Sequence, residues 1–268
     1  MFLGAARGVG RDRVLPVRTE KTTAELAGVA RWSLSDKLDG DTGDGEDLLF
    51  ARLDRTDERK ELSMTLSILP VGKPLGACFP VADPPAEEPE FYEVHVGNQV
   101  EQLNPLEWFV YCGAFSEPDQ HSDHLVDRDV LIKQLSSEVS ESKISGEIDN
   151  LINRGLLLEA NLRGNSHIDV LTGYRLVPTG VGISNSPQDP GLRWIGQHGE
   201  ALLGIPQLSF LVWAFSYRTN SMWDCGAMFA ENPESVDGAT AEDIGAQIAD
   251  SLPSIISMEL GYLEPADQ

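Results

Sequence analysis

The sequence predicts an α+β protein in which a small β-rich domain precedes two similar groups of helices. Residues 62–71 and 90–96 alternate or are β-branched, as strands are, whereas residues 106–115 and 140–154 place apolar residues at helical spacing. The chain has 268 residues, of which 41% are apolar, so it can bury one large core or two small ones. We expect residues 1–100 to form the β-rich or α+β domain, with an acidic loop at residues 39–47.

The charge balance limits the choice of partner. There are 43 acidic and 20 basic side chains, which gives a formal net charge of −23. Such a chain repels polyanions at long range, so binding to nucleic acid is disfavoured. No stretch approaches the ~18 apolar residues of a membrane span, and residues 1–13 have no apolar signal core. These features favour a cytoplasmic protein with no membrane partner.

Three cysteines, Cys78, Cys112 and Cys225, are widely spaced and form no CxxC pattern. This spacing argues against a disulfide scaffold and against a cysteine-rich zinc module. The sequence predicts no cofactor.

The first group of helices is expected within residues 104–185. Helices are predicted at residues 106–115, 128–135 and 140–154, and Gly155 follows the third helix as a C′ glycine does. Strands at residues 156–162 and 174–177 would then pair as a hairpin. This order, with the phrase INRGLLLEA at residues 152–160, resembles the winged helix-turn-helix superfamily. The resemblance implies a winged-helix fold for this unit.

A second unit is predicted because the pattern recurs about 100 residues later. The sequence PLEWFVY at residues 105–111 returns as PQLSFLVW at residues 206–213, followed by helical stretches and by a strand after Gly261. Residues 205–268 would form a second winged-helix-like unit, and residues 190–204 a linking helix. This architecture is similar to the acidic tandem winged-helix subunits that bind kleisins in bacterial chromosome-organising complexes.

The favoured functional hypothesis is a non-catalytic protein–protein interaction or regulatory adaptor. Its partner would be a protein of unknown identity, and its protein–protein contacts are expected to include self-association into a homo-oligomer. Trp213, Met222 and Trp223 are large apolar side chains of the second unit, and any of them left exposed would indicate an interface.

A DNA-binding transcription regulator is the first alternative. It would use the first unit only, with Lys143, Arg163 and Arg175 in contact with phosphates. After Arg218 no lysine or arginine occurs, so the second unit has nothing with which to neutralise phosphates.

A metal-dependent hydrolase is the second alternative. The run DQHSDH at residues 119–124 resembles the His-x-His-x-Asp-His motif of metallo-β-lactamase-type hydrolases, with Asp119 in place of the first histidine. Imidazole and carboxylate ligands at this spacing can hold zinc, and the candidates are His121, Asp123 and His124. A polar loop rich in turn-forming residues explains the same composition and is favoured.

Overall fold

The structure is a computed structural model that describes residues 66–115 except residue 83, residues 126–185 and residues 189–266. All of these described residues belong to a single compact unit of the chain. The predicted acidic loop and the first 65 residues of the predicted N-terminal domain lie outside the described residues.

The described part of the chain forms ten strands and seven α-helices, which confirms the predicted α+β class. The same series of elements occurs twice along the chain: a strand, a three-stranded meander, three helices and a closing strand. The first repeat comprises β1 (Ser67–Pro70), β2 (Lys73–Cys78), β3 (Phe91–Val96), β4 (Gln99–Leu103), α1 (Pro105–Gly113), α2 (Arg128–Leu135), α3 (Glu141–Asn153) and β5 (Leu157–Ala160). After α4 (His167–Gly173), the second repeat comprises β6 (Tyr174–Pro178), β7 (Val181–Asn185), β8 (Leu192–Gln197), β9 (Glu200–Pro206), α5 (Gln207–Phe215), α6 (Met222–Ala230), α7 (Ala241–Ser257) and β10 (Gly261–Pro265).

Each repeat is closed by antiparallel pairing of its first and last strands. β1 pairs with β5, and β6 pairs with β10. The predicted hairpin between residues 156–162 and 174–177 is therefore wrong, because these strands belong to different repeats. Each closing strand returns to the strand that opened its own repeat, and α4 separates β5 from β6.

The two meanders have the strand orders β2-β3-β4 and β7-β8-β9. Both carry a bulge at the same point of the first strand, at Leu75 in one repeat and at Ile183 in the other. One face of each meander covers its helices, and the middle strands bury Val94 and Ile195 completely. Burial of these apolar side chains fixes which face of each sheet points inward.

Two predicted boundaries are corrected by this arrangement. Residues 190–204 form strands rather than a linking helix, because the turn at His198 and Gly199 takes positive φ values of 53° and 87° and reverses the chain. Residue 100 is not a domain boundary. Tyr92 of β3 stacks on Trp108 of α1 with ring centroids 4.9 Å apart, so the strands before residue 100 share a core with the helices after it.

The two repeats are joined through the residues that follow β1. Val71 forms a parallel bridge with Leu263 of β10, while its N–H donates to the carbonyl oxygen of Leu156 at 2.9 Å. The N–H of Gly72 donates to the carbonyl oxygen of Leu263 at 2.8 Å. Leu69 and Val71 thus lie in the hydrophobic core of the second repeat.

The third helices of both repeats end in the same backbone motif. Gly155 follows α3 with φ +70°, and Glu259 follows α7 with φ +53°. In each case the next residue donates its N–H five residues back, from Leu156 to Leu151 and from Leu260 to Ile255, both at 2.9 Å. This is a Schellman ending, in which the left-handed residue is usually glycine.

Candidate interaction surface

Two of the three predicted partner-binding residues are core residues. Trp213 and Met222 are only 3% and 1% exposed, and the indole Nε1 of Trp213 donates to the carbonyl oxygen of Leu260 at 2.8 Å. The prediction that these two side chains contact a partner is therefore corrected, because they hold α5 and α6 against the rest of the second repeat.

Trp223 is half-buried on α6 and retains part of its exposed surface. A β-carbon added at Gly245 would lie 3.4 Å from its ring, so the indole packs closely on the backbone of α7. Met228, farther along α6, is one of the exposed large apolar side chains. A partner contact at Trp223 stays a prediction.

The predicted phosphate-binding residues lie on three different elements. Lys143 is exposed on α3, and Arg163 is exposed in the connection after β5. Arg175 of β6 is different, because its Nε lies 2.7 Å from a carboxylate oxygen of Glu264, which is almost fully buried. A guanidinium bound to a buried carboxylate is poorly placed to neutralise a phosphate.

Other arginines of the first repeat also make ion pairs within the chain. Arg128 lies 2.7 Å from Asp149 and 3.0 Å from Glu159. The hydrogen bond to Glu159 is the main reason that the pKa of Arg128 lies above its ordinary value. Arg154, at the end of α3, donates to Glu101 and Glu107 at 2.8 and 2.9 Å. These arginines join helices to strands.

The third helix of the second repeat packs one side on the core and exposes acidic and polar residues on the other. α7 buries residues on every turn, which include Ile244, Ile248, Leu252 and Ile256. A DNA-reading third helix has to expose one long face to the major groove. α7 has no lysine or arginine with which to contact a phosphate.

The predicted metal ligands His121, Asp123 and His124 lie outside the described residues. Within the described ranges, no three His, Cys, Asp or Glu side chains are grouped so that they could hold a metal ion. Asp127, which follows this run, caps α2, since its carboxylate accepts the Val130 N–H at 2.8 Å.

Two of the three cysteines are held as thiols. Burial raises the pKa of Cys112 to about 12, and the charge of Glu259 adds to this effect. Burial likewise raises the pKa of Cys225 to about 12. A nucleophilic cysteine needs the thiolate form near neutral pH, so both side chains act as packing residues.

The outward face of the second meander is an apolar surface that the sequence pattern did not reveal. Trp194 lies opposite Gly204, and a β-carbon at Gly204 would touch the side chains of Leu192 and Trp194. Leu202 is the unpaired residue of a bulge in β9, between Ala201 and Leu203, and it is 38% exposed whereas Leu203 packs on the core, so Leu202 lies on the outward side. Gly196 comes two residues after Trp194 and pairs with Val181 of β7. Val181 is exposed and completes this face.

The corresponding face of the first meander is more polar. The alternation of β3 places Glu93 and His95 on the face opposite the buried Val94, and Gln102 lies across from Glu93. Only Val100, across from His95, is a large exposed apolar residue among these positions. The repeats thus share a backbone plan and differ in the chemistry of their outward faces.

The overlooked signal was the His198-Gly199 pair, which marks a hairpin turn between two apolar runs. The spacing of Leu and Ile over residues 192–205 is compatible with a helix as well as with two strands. Only the turn at His198-Gly199 distinguishes the two, which explains the predicted linking helix. Recognition of the turn would have placed Trp194 and Leu202 on neighbouring strands.

Comparison with known proteins assigns no family to the chain. No protein-family model, curated protein or solved structure matches it. Among the helices that the structure describes, none is both long enough and apolar enough to cross a membrane.

Proposed function

We propose that the chain is a non-catalytic protein–protein interaction module of the cytoplasm, an adaptor or regulator built from two winged-helix-like units. Its partner would be a protein that docks on the outward face of the second meander. We name this surface the Trp194 face, and define it by Val181, Leu192, Trp194 and Leu202.

The observation that carries the proposal is the clustering of apolar side chains on this face. Single exposed apolar residues are normal on a protein surface, whereas several on one sheet face around a tryptophan are typical of an interaction site. Tryptophan is also among the residues most often found at the energetic centre of an interface. The matching face of the first repeat mixes the polar Glu93, His95 and Gln102 with the apolar Phe91 and Val100.

The charge distribution favours protein over nucleic acid as the partner. Arg175, one of the three candidate phosphate contacts, is bound to Glu264, and the second repeat has no basic residue after Arg218. Binding to a duplex would have to depend on Lys143 and Arg163 against a strongly negative net charge.

The test is a native pull-down with the tagged full-length chain from lysate, with and without nuclease, at moderate salt. The variant Leu202→Asp places a charge on the Trp194 face. Val100→Asp is its matched control, because Val100 is 49% exposed on the corresponding strand of the first repeat. We expect a stoichiometric partner that survives nuclease, is retained by Val100→Asp and is lost with Leu202→Asp.

Recovery of nucleic acid alone, or of proteins that disappear after nuclease treatment, would contradict the proposal and support the DNA-binding alternative. In that case Arg163→Ala should weaken binding to a duplex, and binding should fall steeply as salt is raised. Equal loss of the partner in Leu202→Asp and Val100→Asp would also refute the assignment to the Trp194 face.

A further inference from the structure

The Trp194 face has acidic side chains at both ends of β8. Asp189 lies at the start of the strand, where its Oδ1 atom would be 3.6 Å from a β-carbon added at Gly191, the residue before Leu192. Glu200 lies at the other end, where it pairs with Gln197 and is exposed. A segment laid along β8 would therefore meet a carboxylate at each end of the apolar residues.

A further carboxylate lies at the end of the face that carries Val181. The side-chain amide of Gln197 donates to the carbonyl oxygen of Glu259 at 3.1 Å, and the hydroxyl of Thr179, two residues before Val181, donates to the same oxygen at 2.5 Å. Glu259 is exposed. Glu200 and Glu259 therefore both carry negative charge near this end of the sheet.

Basic side chains do not offset these charges. Residues 174–266 contain eleven acidic and three basic side chains, and no lysine. Residues 181–206 contain Arg193 as their single basic residue, and it is turned toward the helices, where it donates to Gln207 and lies 5.9 Å from the ring centre of Phe210. Arg175 is bound to Glu264. The potential over the Trp194 face is therefore negative.

We propose, on the basis of the proposed function, that the occupant of the Trp194 face is a basic segment of the partner, in which lysine or arginine flanks large apolar side chains. The apolar side chains would pack on Leu192 and Trp194, and the cations would reach Asp189 or Glu200. The aliphatic stem of a lysine or arginine also packs on an indole, whose face attracts the charged group. An acidic segment would be repelled by the same carboxylates.

The test begins with random peptides displayed on phage and selected on the immobilised full-length protein, after removal of those that also bind the Leu202→Asp variant. We expect the remaining peptides to combine Trp, Phe or Leu with Lys or Arg and to contain little Asp or Glu. A synthetic peptide from this set, followed by fluorescence anisotropy, should bind roughly threefold or more weakly when salt is raised from about 50 to about 300 mM.

The variant Glu200→Lys tests the local charge. It turns an attraction into a repulsion, so the dissociation constant of the peptide should rise roughly three- to tenfold. Glu138→Lys is the matched control, because Glu138 is exposed between α2 and α3 of the first repeat and its replacement changes the net charge equally. It should change binding by less than about twofold. Glu200→Gln, expected to give a smaller loss, serves if Glu200→Lys lowers the melting temperature.

Selected peptides that are neutral or acidic would overturn this inference, as would binding that does not depend on salt or equal effects of Glu200→Lys and Glu138→Lys. A set with no peptide that distinguishes wild type from Leu202→Asp would rule out a segment as the occupant. A dimer of the purified chain that Leu202→Asp dissociates would assign the face to a second copy instead. The adaptor proposal itself fails only if the lysate partner is absent or is retained by Leu202→Asp, so the two failures are distinguishable.

Discussion

Replacing Glu259 by glycine should stabilise the protein, because Glu259 occupies a backbone position that suits glycine. Its φ of +53° lies in the left-handed region, where a residue with a β-carbon loses about 1–2 kcal/mol. Glycine removes that strain but makes the unfolded chain more flexible, which costs roughly 0.5–1 kcal/mol. The net gain for Glu259→Gly is therefore about 0.5–1 kcal/mol in the free energy of unfolding.

The assay is thermal and denaturant unfolding followed by circular dichroism. For a folded unit of this size, a gain of this order corresponds to a melting temperature higher by roughly 1–4 °C. Glu259→Ala is the essential control, because Glu259 also contributes to the raised pKa of Cys112 and its charge is lost in both variants. Alanine keeps the β-carbon, so it should give no comparable gain.

The first repeat provides the reverse experiment. Gly155 has φ +70°, and a β-carbon there would have no neighbour within 4 Å, so Gly155→Ala adds backbone strain without a steric clash. It should lower the stability by about 1 kcal/mol. If Glu259→Gly is no more stable than Glu259→Ala, or if Gly155→Ala is neutral, the assignment of matching Schellman endings to α3 and α7 is refuted.

Three further predictions concern the joint between the repeats, the thiols and a helix cap. Gly72→Ala should destabilise the protein by roughly 2–4 kcal/mol, because φ is +91° and the new β-carbon would lie 2.5 Å from a methyl group of Val96. Denaturant unfolding would measure this loss in the free energy of unfolding. Cys112 and Cys225 should resist iodoacetamide at pH 8 in the folded protein and react after unfolding, and mass spectrometry of peptides would reveal any early labelling. Hydrogen bonds from the backbone and side chain of Thr240 lower the pKa of Asp243, so its contribution is present above its unfolded pKa and is lost as pH falls through the lowered value. The stability difference between wild type and Asp243→Asn should accordingly shrink below about pH 4, and a difference that is constant with pH would contradict this cap.

Local sequence signals predicted the helices well. The helix at residues 128–135 has the predicted bounds, because an Asp cap precedes it and apolar residues recur along it. The stretch at residues 140–154 differs from α3 by one residue at each end, with Gly155 as the expected C′ residue. These features depend on interactions within four residues of each other.

Strand partners could not be predicted in this way. β1 pairs with β5 about 90 residues later in the sequence, and no local pattern specifies that pairing. The predicted hairpin chose the nearest strand in sequence, although α4 intervenes.

The candidate site was partly hidden for a similar reason. Trp213 and Trp194 are both tryptophans in apolar segments, and only the tertiary structure shows that Trp213 is buried whereas Trp194 borders an exposed face. Exposure of an apolar side chain is set by what packs over it, which periodicity alone does not reveal.

The position of Val71 has a consequence for how the protein unfolds. This residue leaves the first repeat, bridges to Leu263 and is fully buried in the core of the second. Loss of the second repeat would uncover Val71, and loss of the first would remove its bridge to Leu263 while β10 stays paired with β6. The repeats are therefore expected to melt in one cooperative transition, unlike units of a solenoid that unfold one after another. A fragment that begins after residue 72 would lack residues of both cores, so this segment completes the core of each repeat.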